Sequence, residues 1–229
     1  MEKQMELPFS YPDKVNNIRE RMAKKKYYDP FHQEINGQLN FSSEYQSPKI
    51  MPNNGKLPDR MVSFSRRKET QRTDVAIHFY IHDYKFSGLM SFARKYIDEL
   101  RKYQCVIGPD FSVQPQMPLK EKEYIIYMNK KITAWMQRNG ITVISNVIWC
   151  ENMDYEYCFD GLPRHSIIAI NSTGIGRDQR SKKGWIEGYK KTVEILKPTH
   201  IIRYGAKQDG ELAEISTYFP NGNKQMTNP

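Results

Sequence analysis

From residue 74 onward the chain alternates between short apolar runs and longer stretches in which apolar residues return every three or four positions. The runs 75–82 (VAIHFYIH), 105–107 (CVI), 141–149 (ITVISNVIW), 166–170 (SIIAI) and 200–204 (HIIRY) are rich in β-branched and aromatic residues, as strands are. Between them, 90–103, 119–139 and 182–196 carry helical spacing. Gly140 directly follows the second of these, where a left-handed residue ends a helix, and Pro198 closes the third. Strands buried on both faces read as continuous apolar runs, and successive parallel strands need the crossover connections that helices supply. The pattern therefore predicts an α/β fold, an open and mainly parallel sheet holding 75–81, 106–107, 143–147, 167–170 and 201–203, covered by helices. Five such units fall short of the eight that close a barrel, which leaves a doubly wound sheet or a partial β/α barrel.

The first 73 residues break this rhythm. They carry Pro8, Pro12, Pro30, Pro48, Pro52 and Pro58, and Asn53-Asn54-Gly55 marks a turn. Regular structure is expected there only as a helix at 14–26 and an extra edge strand at 60–64. The chain thus divides into a basic N-terminal extension (1–73) that wraps the core, an α/β core (74–219) and a flexible tail (220–229).

Composition narrows the functional classes. No stretch approaches the ~18 apolar residues of a membrane span, and the N-terminus lacks the apolar segment of a secretory signal, so no membrane partner and a cytoplasmic location in a bacterial host are expected. Cys105, Cys150 and Cys158 are too few and too irregularly spaced for a disulfide framework or a zinc site. Net charge is +9, and the first 73 residues hold 14 Lys and Arg against 9 Asp and Glu, a balance that favours polyanionic partners, DNA or RNA among them.

In both architectures the ligand site lies beyond the carboxyl ends of the strands, so the residues there are the candidates. Asp83, Asp110 and Glu151 follow the first, second and third strands and are the catalytic candidates. Carboxylates held close shift one another's pKa and offer oxygen ligands to a hard cation such as Mg²⁺, the one cofactor the residues suggest, and only if the three converge. The alternative for each is a helix cap or a bond to loop amides. Asn146, Trp149 and Tyr204 would add hydrogen bonds and an apolar wall. Asn171-Ser172-Thr173-Gly174 opens a strand-to-helix loop that leads to Arg177, Arg180, Lys182 and Lys183, where backbone amides and cations suit a phosphate. Neither GxGxxG nor GK[ST] is present, and an ordinary loop with solvated cations has the same composition. GxSxG is absent as well.

His78 and His82 stand about 13 Å apart if the run is a strand at about 3.3 Å per residue, too far to share a metal, so His78 is expected as a packed, hydrogen-bonded residue. Tyr124, Tyr127 and Trp135 fall on the apolar stripe of the long helix, a core pattern. Arg66, Arg67, Lys68 and Arg72, and Lys24-Lys25-Lys26 with Arg19 and Arg21, are the densest basic clusters. They are suited to phosphate contacts with DNA or RNA, with Phe64, Tyr27 and Tyr28 available for stacking, or else to a solvated face.

Residues 77–86 (IHFYIHDYKF), 106–118 (VIGPDFSVQPQMP), 135–149 (WMQRNGITVISNVIW), 157–163 (YCFDGLP), 169–174 (AINSTG) and 197–205 (KPTHIIRYG) together resemble an uncharacterised family, labelled only as a domain of unknown function. It is common in phages, plasmids and integrative elements of Gram-positive and gut bacteria. The resemblance implies a mobile-element setting and brings no activity, cofactor or catalytic residues. Three functions follow as expectations: an accessory protein that binds nucleic acid or a phosphorylated ligand at the strand-end cleft, a metal-assisted or acid–base hydrolase using the carboxylates, or a protein–protein inhibitor of a host system.

Overall fold

A computed structural model describes residues 35, 39–150, 153–175, 179–207 and 215–221. The sheet is built from β1 (Met61–Ser63), β2 (Ala76–His78), β3 (Cys105–Ile107), β4 (Val143–Asn146), β5 (Ile167–Ser172), β6 (His200–Gly205) and β7 (Ser216–Pro220). Every neighbouring pair is parallel, and the spatial order is the chain order, β1 to β7. Five helices join them among the described residues: α1 (Gly88–Phe92), α2 (Ile97–Leu100), α3 (Leu119–Arg138), α4 (Tyr155–Phe159) and α5 (Gln179–Leu196). The sheet therefore curls into a partial barrel. A doubly wound sheet needs its strand order to reverse at a switch point, and here each crossover steps to the next position in the same direction.

The stagger of a barrel is visible in β4. Its first half, Val143 and Ile144, pairs with β3, and its second half, Ser145 and Asn146, pairs with β5. Alternate side chains divide the strands between two cores. Ile77, Val106, Val143, Ile168, Ile170 and Ile201 join the helix residues Ile126, Ile132, Trp135, Tyr189 and Leu196 in the outer core. The inner core is made from strand side chains, with small Ala76, Cys105 and Ala169 set among Met61, Ile107, Ile144, Ile202 and Tyr204. Met61 of β1 and Phe219 of β7 belong to this same inner cluster. The sheet thus curls until strand side chains fill its hollow, as in the interior of a small barrel.

Element boundaries follow local chemistry. Gly140 takes φ 77° after α3 and the N–H of Ile141 donates to Met136 O, so the expected glycine stop is the observed one. The helical pattern at 90–103 is realised as α1 and α2 with a 3-10 segment, Ala93–Tyr96, between them. The edge strand expected at 60–64 is β1, hydrogen-bonded to β2. β7 was not expected; its Ser216, Thr217 and Tyr218 are only half-buried at the sheet edge, so they lack the apolar run that marks an interior strand. The start of the tail is correspondingly corrected, since Pro220 pairs with Gly205. The helix expected at 14–26, with the basic cluster on it, lies outside the described residues. Trp135 is core as expected, while Tyr124 is exposed.

Arg67 is held inside the fold. Its Nη1 donates to Phe64 O at 2.7 Å, Nη2 meets Glu99 at 3.0 Å, and the guanidinium lies 3.9 Å over the Phe64 ring. We expect Arg67→Met to lower stability by about 1–2 kcal/mol, because it leaves Glu99 and the Phe64 carbonyl without their charged donor; chemical denaturation measures this, and an unchanged midpoint would show the pair to be ornamental.

Candidate functional site

The carboxyl ends of β3, β4 and β5 open into a cleft of about 650 Å³ whose lining includes Asp110, Trp149, Asn171, Arg180, Lys183 and Trp185. Asp110 reaches it because its loop is pinned on three sides. A Cβ on Gly108 would lie 2.7 Å from Thr133 Oγ1 and 3.3 Å from Asn146 N, so the chain leaves β3 through a gap only glycine fits. The Asn129 side chain on α3 accepts from Phe111 N–H at 3.0 Å and donates to Phe111 O at 3.2 Å. Asn146 Nδ2 donates to Pro109 O at 3.1 Å.

Two amides hold the Asp110 carboxylate, one on each oxygen. Asn146 Nδ2 donates to Oδ1 at 2.7 Å and Asn171 Nδ2 donates to Oδ2 at 2.8 Å. Each amide is itself oriented, because Tyr80 Oη donates to Asn146 Oδ1 at 3.0 Å and Thr173 N–H donates to Asn171 Oδ1 at 2.8 Å. Burial pushes the Asp110 carboxyl above the usual carboxylate range; the two amide bonds pull it down, and the charge of Asp83 adds to the rise. Tyr80 stands in turn in an aromatic group with His78 and Tyr204, its ring stacked on Tyr204 with centroids 4.9 Å apart.

Tryptophans form the wall. Trp185 Nε1 donates to Asn171 O at 2.9 Å, which ties α5 to the end of β5, and the Trp149 and Trp185 ring centroids lie 6.2 Å apart. On α5, Arg180, Lys183, Gly184 and Glu187 fall at i, i+3, i+4 and i+7, one helical stripe, and all four line the cleft.

The other expected site residues divide. Thr173 lines the cleft with Asn171. Ser172 does not; its hydroxyl is buried, donating to Ala206 O at 2.7 Å with Tyr204 O at 3.0 Å. Gly174, at φ 85°, makes the turn. Tyr204 is a buried member of the inner core, so it supports Tyr80 where a ligand contact was expected. Asp83 takes the loop-amide alternative, its two oxygens accepting from the backbone N–H and the hydroxyl of Ser112. Glu151 and Arg177 lie outside the described residues. Among the described residues no group of three or more His, Cys, Asp and Glu stands together as a metal site. Lys182 lines a shallower hollow beside Arg180 and Ile186.

The basic run at 66–72 is not a single patch. Arg66 pairs with Glu69 just after β1, Arg67 is buried, Lys68 is exposed, and Arg72 pairs with Asp74 before the amino end of β2, at the opposite rim of the sheet. Sequence reasoning missed Tyr80, Asn129, Trp185 and Glu187 as parts of the site. Only the helical stripe of Arg180, Lys183 and Glu187 left a readable signal, since the other three act through contacts between distant elements.

These strand-end segments lie inside a family match. The family described as Domain of unknown function (DUF4417) matches residues 39–219, most of the chain. The chain belongs to the DUF4417 family. Within that match it is similar to "Gene 1 protein" of Mycobacterium phage L5, 26% identical over 195 residues that cover 81% of this chain and 85% of the relative. It is similar also to "Gene 1 protein" of Mycobacterium phage D29, 25% identical over 195 residues, covering 81% of this chain and 72% of that relative. No solved structure matches. The DUF4417 match takes in β1 to β6 and nearly all of β7, and with them every described residue of the cleft. Among the described residues no helix is long and apolar enough to cross a membrane.

Proposed function

We propose that this DUF4417 chain is a phage or mobile-element accessory protein that binds a phosphate-bearing ligand in the carboxyl-end cleft. The observation that carries this reading is the placement of Arg180 and Lys183 on one stripe of α5, facing a cleft whose floor is the braced Asp110. Ligands of parallel α/β folds bind beyond the carboxyl ends of the strands, and cations on an adjoining helix supply the counter-charge for phosphate. A nucleic-acid strand laid across residues 66–72 has less support, since Arg66, Arg67 and Arg72 are each paired with an acid and stand at two different rims. The similarity to phage "Gene 1" proteins supports the mobile-element setting.

The Arg180→Ala, Lys183→Ala double variant tests this. Both residues are exposed, so the melting temperature should stay within a degree or two, on the order of a surface substitution. Affinity for inorganic phosphate and for phosphate esters, read by calorimetric titration, should fall about tenfold or more with the loss of two charge-assisted contacts. Equal affinity in variant and wild type would remove the cleft cations from the reading.

A further inference from the structure

Resting on that reading, we propose that the ligand is a nucleotide, free or at the end of a strand, with its phosphate at Arg180 and Lys183, its ring against Trp149 and its hydroxyl or base N–H donors on Asp110. The lining of one cleft holds three different chemistries. Asn171 links two of them, since its Nδ2 holds Asp110 at 2.8 Å while its backbone carbonyl accepts the indole N–H of Trp185 at 2.9 Å; the Trp149 ring follows at 6.2 Å from Trp185.

Asp110 specifies the end of the ligand that is not phosphate. A carboxylate accepts at about four lone-pair positions, and the two amides use one on each oxygen, so each oxygen keeps an acceptor site. The amides cannot turn to offer their oxygens instead, because Tyr80 Oη and Thr173 N–H already occupy those oxygens as donors. A group that meets the ionised Asp110, the form the two amide bonds favour, must therefore donate. A phosphate placed there would face a negative charge that the surrounding amides hold in position.

The charge of the lining points the same way. Arg180 and Lys183 are balanced by Asp110 and Glu187, so the cleft does not suit a bare polyanion. It suits a molecule with an anionic end, a flat apolar middle and a donor-bearing end. Trp149 and the neighbouring Val147 and Ile148 supply the surface for the middle, as base–aromatic stacking requires. The volume, about 650 Å³, lies in the range of about 300–1,000 Å³ typical of small-molecule sites.

The test uses the full chain in calorimetric titrations with inorganic phosphate, AMP, GMP, CMP, UMP and a short 5′-phosphorylated single-stranded DNA. At least one nucleotide or the DNA should bind about tenfold or more tightly than inorganic phosphate, the discrimination a site built to accept hydrogen bonds shows against a ligand lacking the donors. Asp110→Asn, which replaces an acceptor oxygen by a donor, should erase that preference, and a variant that keeps the full wild-type preference would overturn the placement of the ligand's donors on Asp110. A strongest response from a mononucleotide or from the DNA identifies the free or the strand-end source, and both support the proposal. Inorganic phosphate bound as tightly as every nucleotide and the DNA by the wild type would overturn the nucleotide assignment and leave the phosphate reading standing, with no variant needed. Binding of none of these probes would overturn both.

Discussion

Between pH 7 and pH 4.5 the wild-type chain should lose about 2–3 kcal/mol more stability than a His78→Asn variant. His78 is 3% exposed and lies between Tyr80 and Tyr204, with ring centroids at 5.4 and 4.5 Å. The hydrogen bond at its Nδ1 is received from Tyr80 N–H at 3.2 Å, an arrangement that requires the unprotonated nitrogen. Burial pushes the imidazole down from 6.5 to about 3. Below pH 6.5 the unfolded chain therefore takes up a proton that the folded chain refuses until about pH 3. Stability from the neutral ring is complete above pH 6.5 and is lost progressively as pH falls through that window. At pH 4.5 the gap is about two pH units, worth roughly 1.4 kcal/mol each. Asn can accept the same backbone bond and does not titrate. Urea unfolding of both proteins at several pH values separates this slope from the carboxylate titrations that they share, and parallel stability curves would count against the assignment. The same residue braces the site, because the ring that stacks beside His78 carries the hydroxyl that orients Asn146.

Gly188→Ala should destabilise the chain by about 2–3 kcal/mol, although the same change in an ordinary helix interior stabilises by up to about 1 kcal/mol. α5 crosses Trp149 at this glycine. A Cβ there would run into Trp149 Nε1 and Cε2, well inside contact distance. The indole has little room to retreat, since Trp185 and Phe159 pack against it with ring centroids at 6.2 and 6.5 Å. Relief must come from displacing α5 or turning Trp149, and either changes the wall of the cleft. The variant should thus show a lower denaturation midpoint together with shifted tryptophan emission and, for the proposed nucleotide ligand, at least about tenfold weaker binding, the cost of losing one stacking surface. A more stable Gly188→Ala protein with unchanged emission would show that α5 and Trp149 are less closely packed than described.

The two effects illustrate how far local sequence reaches. His78 was legible as a packed residue from its place in an apolar, β-rich run, although the strand ends at His78 and leaves Tyr80 and His82 beyond it. Gly188 was not legible at all, since its requirement comes from a tryptophan 39 positions earlier in the chain. Asp110, Asn146 and Asn171 were each visible as strand-end residues, and a parallel sheet brings such ends to one rim. Their meeting on one carboxylate was not visible, because it depends on β4 pairing with β3 by its first half and with β5 by its second. Asp83 and Arg67 show the opposite case: their local contexts, an acidic residue after a strand and a basic run, look functional, yet Ser112 and Glu99 engage them from other elements.

The sequence by itself determined that strands and helices alternate, that the strands lie parallel with both faces buried, and that the candidate chemistry collects at their carboxyl ends. Each of these depends on how much of a segment is buried, and burial is written in the spacing of its own apolar residues. Only the tertiary structure decided between a doubly wound sheet and a partial barrel, added the polar edge strand β7, and chose which cations and carboxylates remain in the cleft. Those outcomes depend on the direction in which each crossover steps and on partners far along the chain, and neither leaves a periodic trace in the segment that it governs.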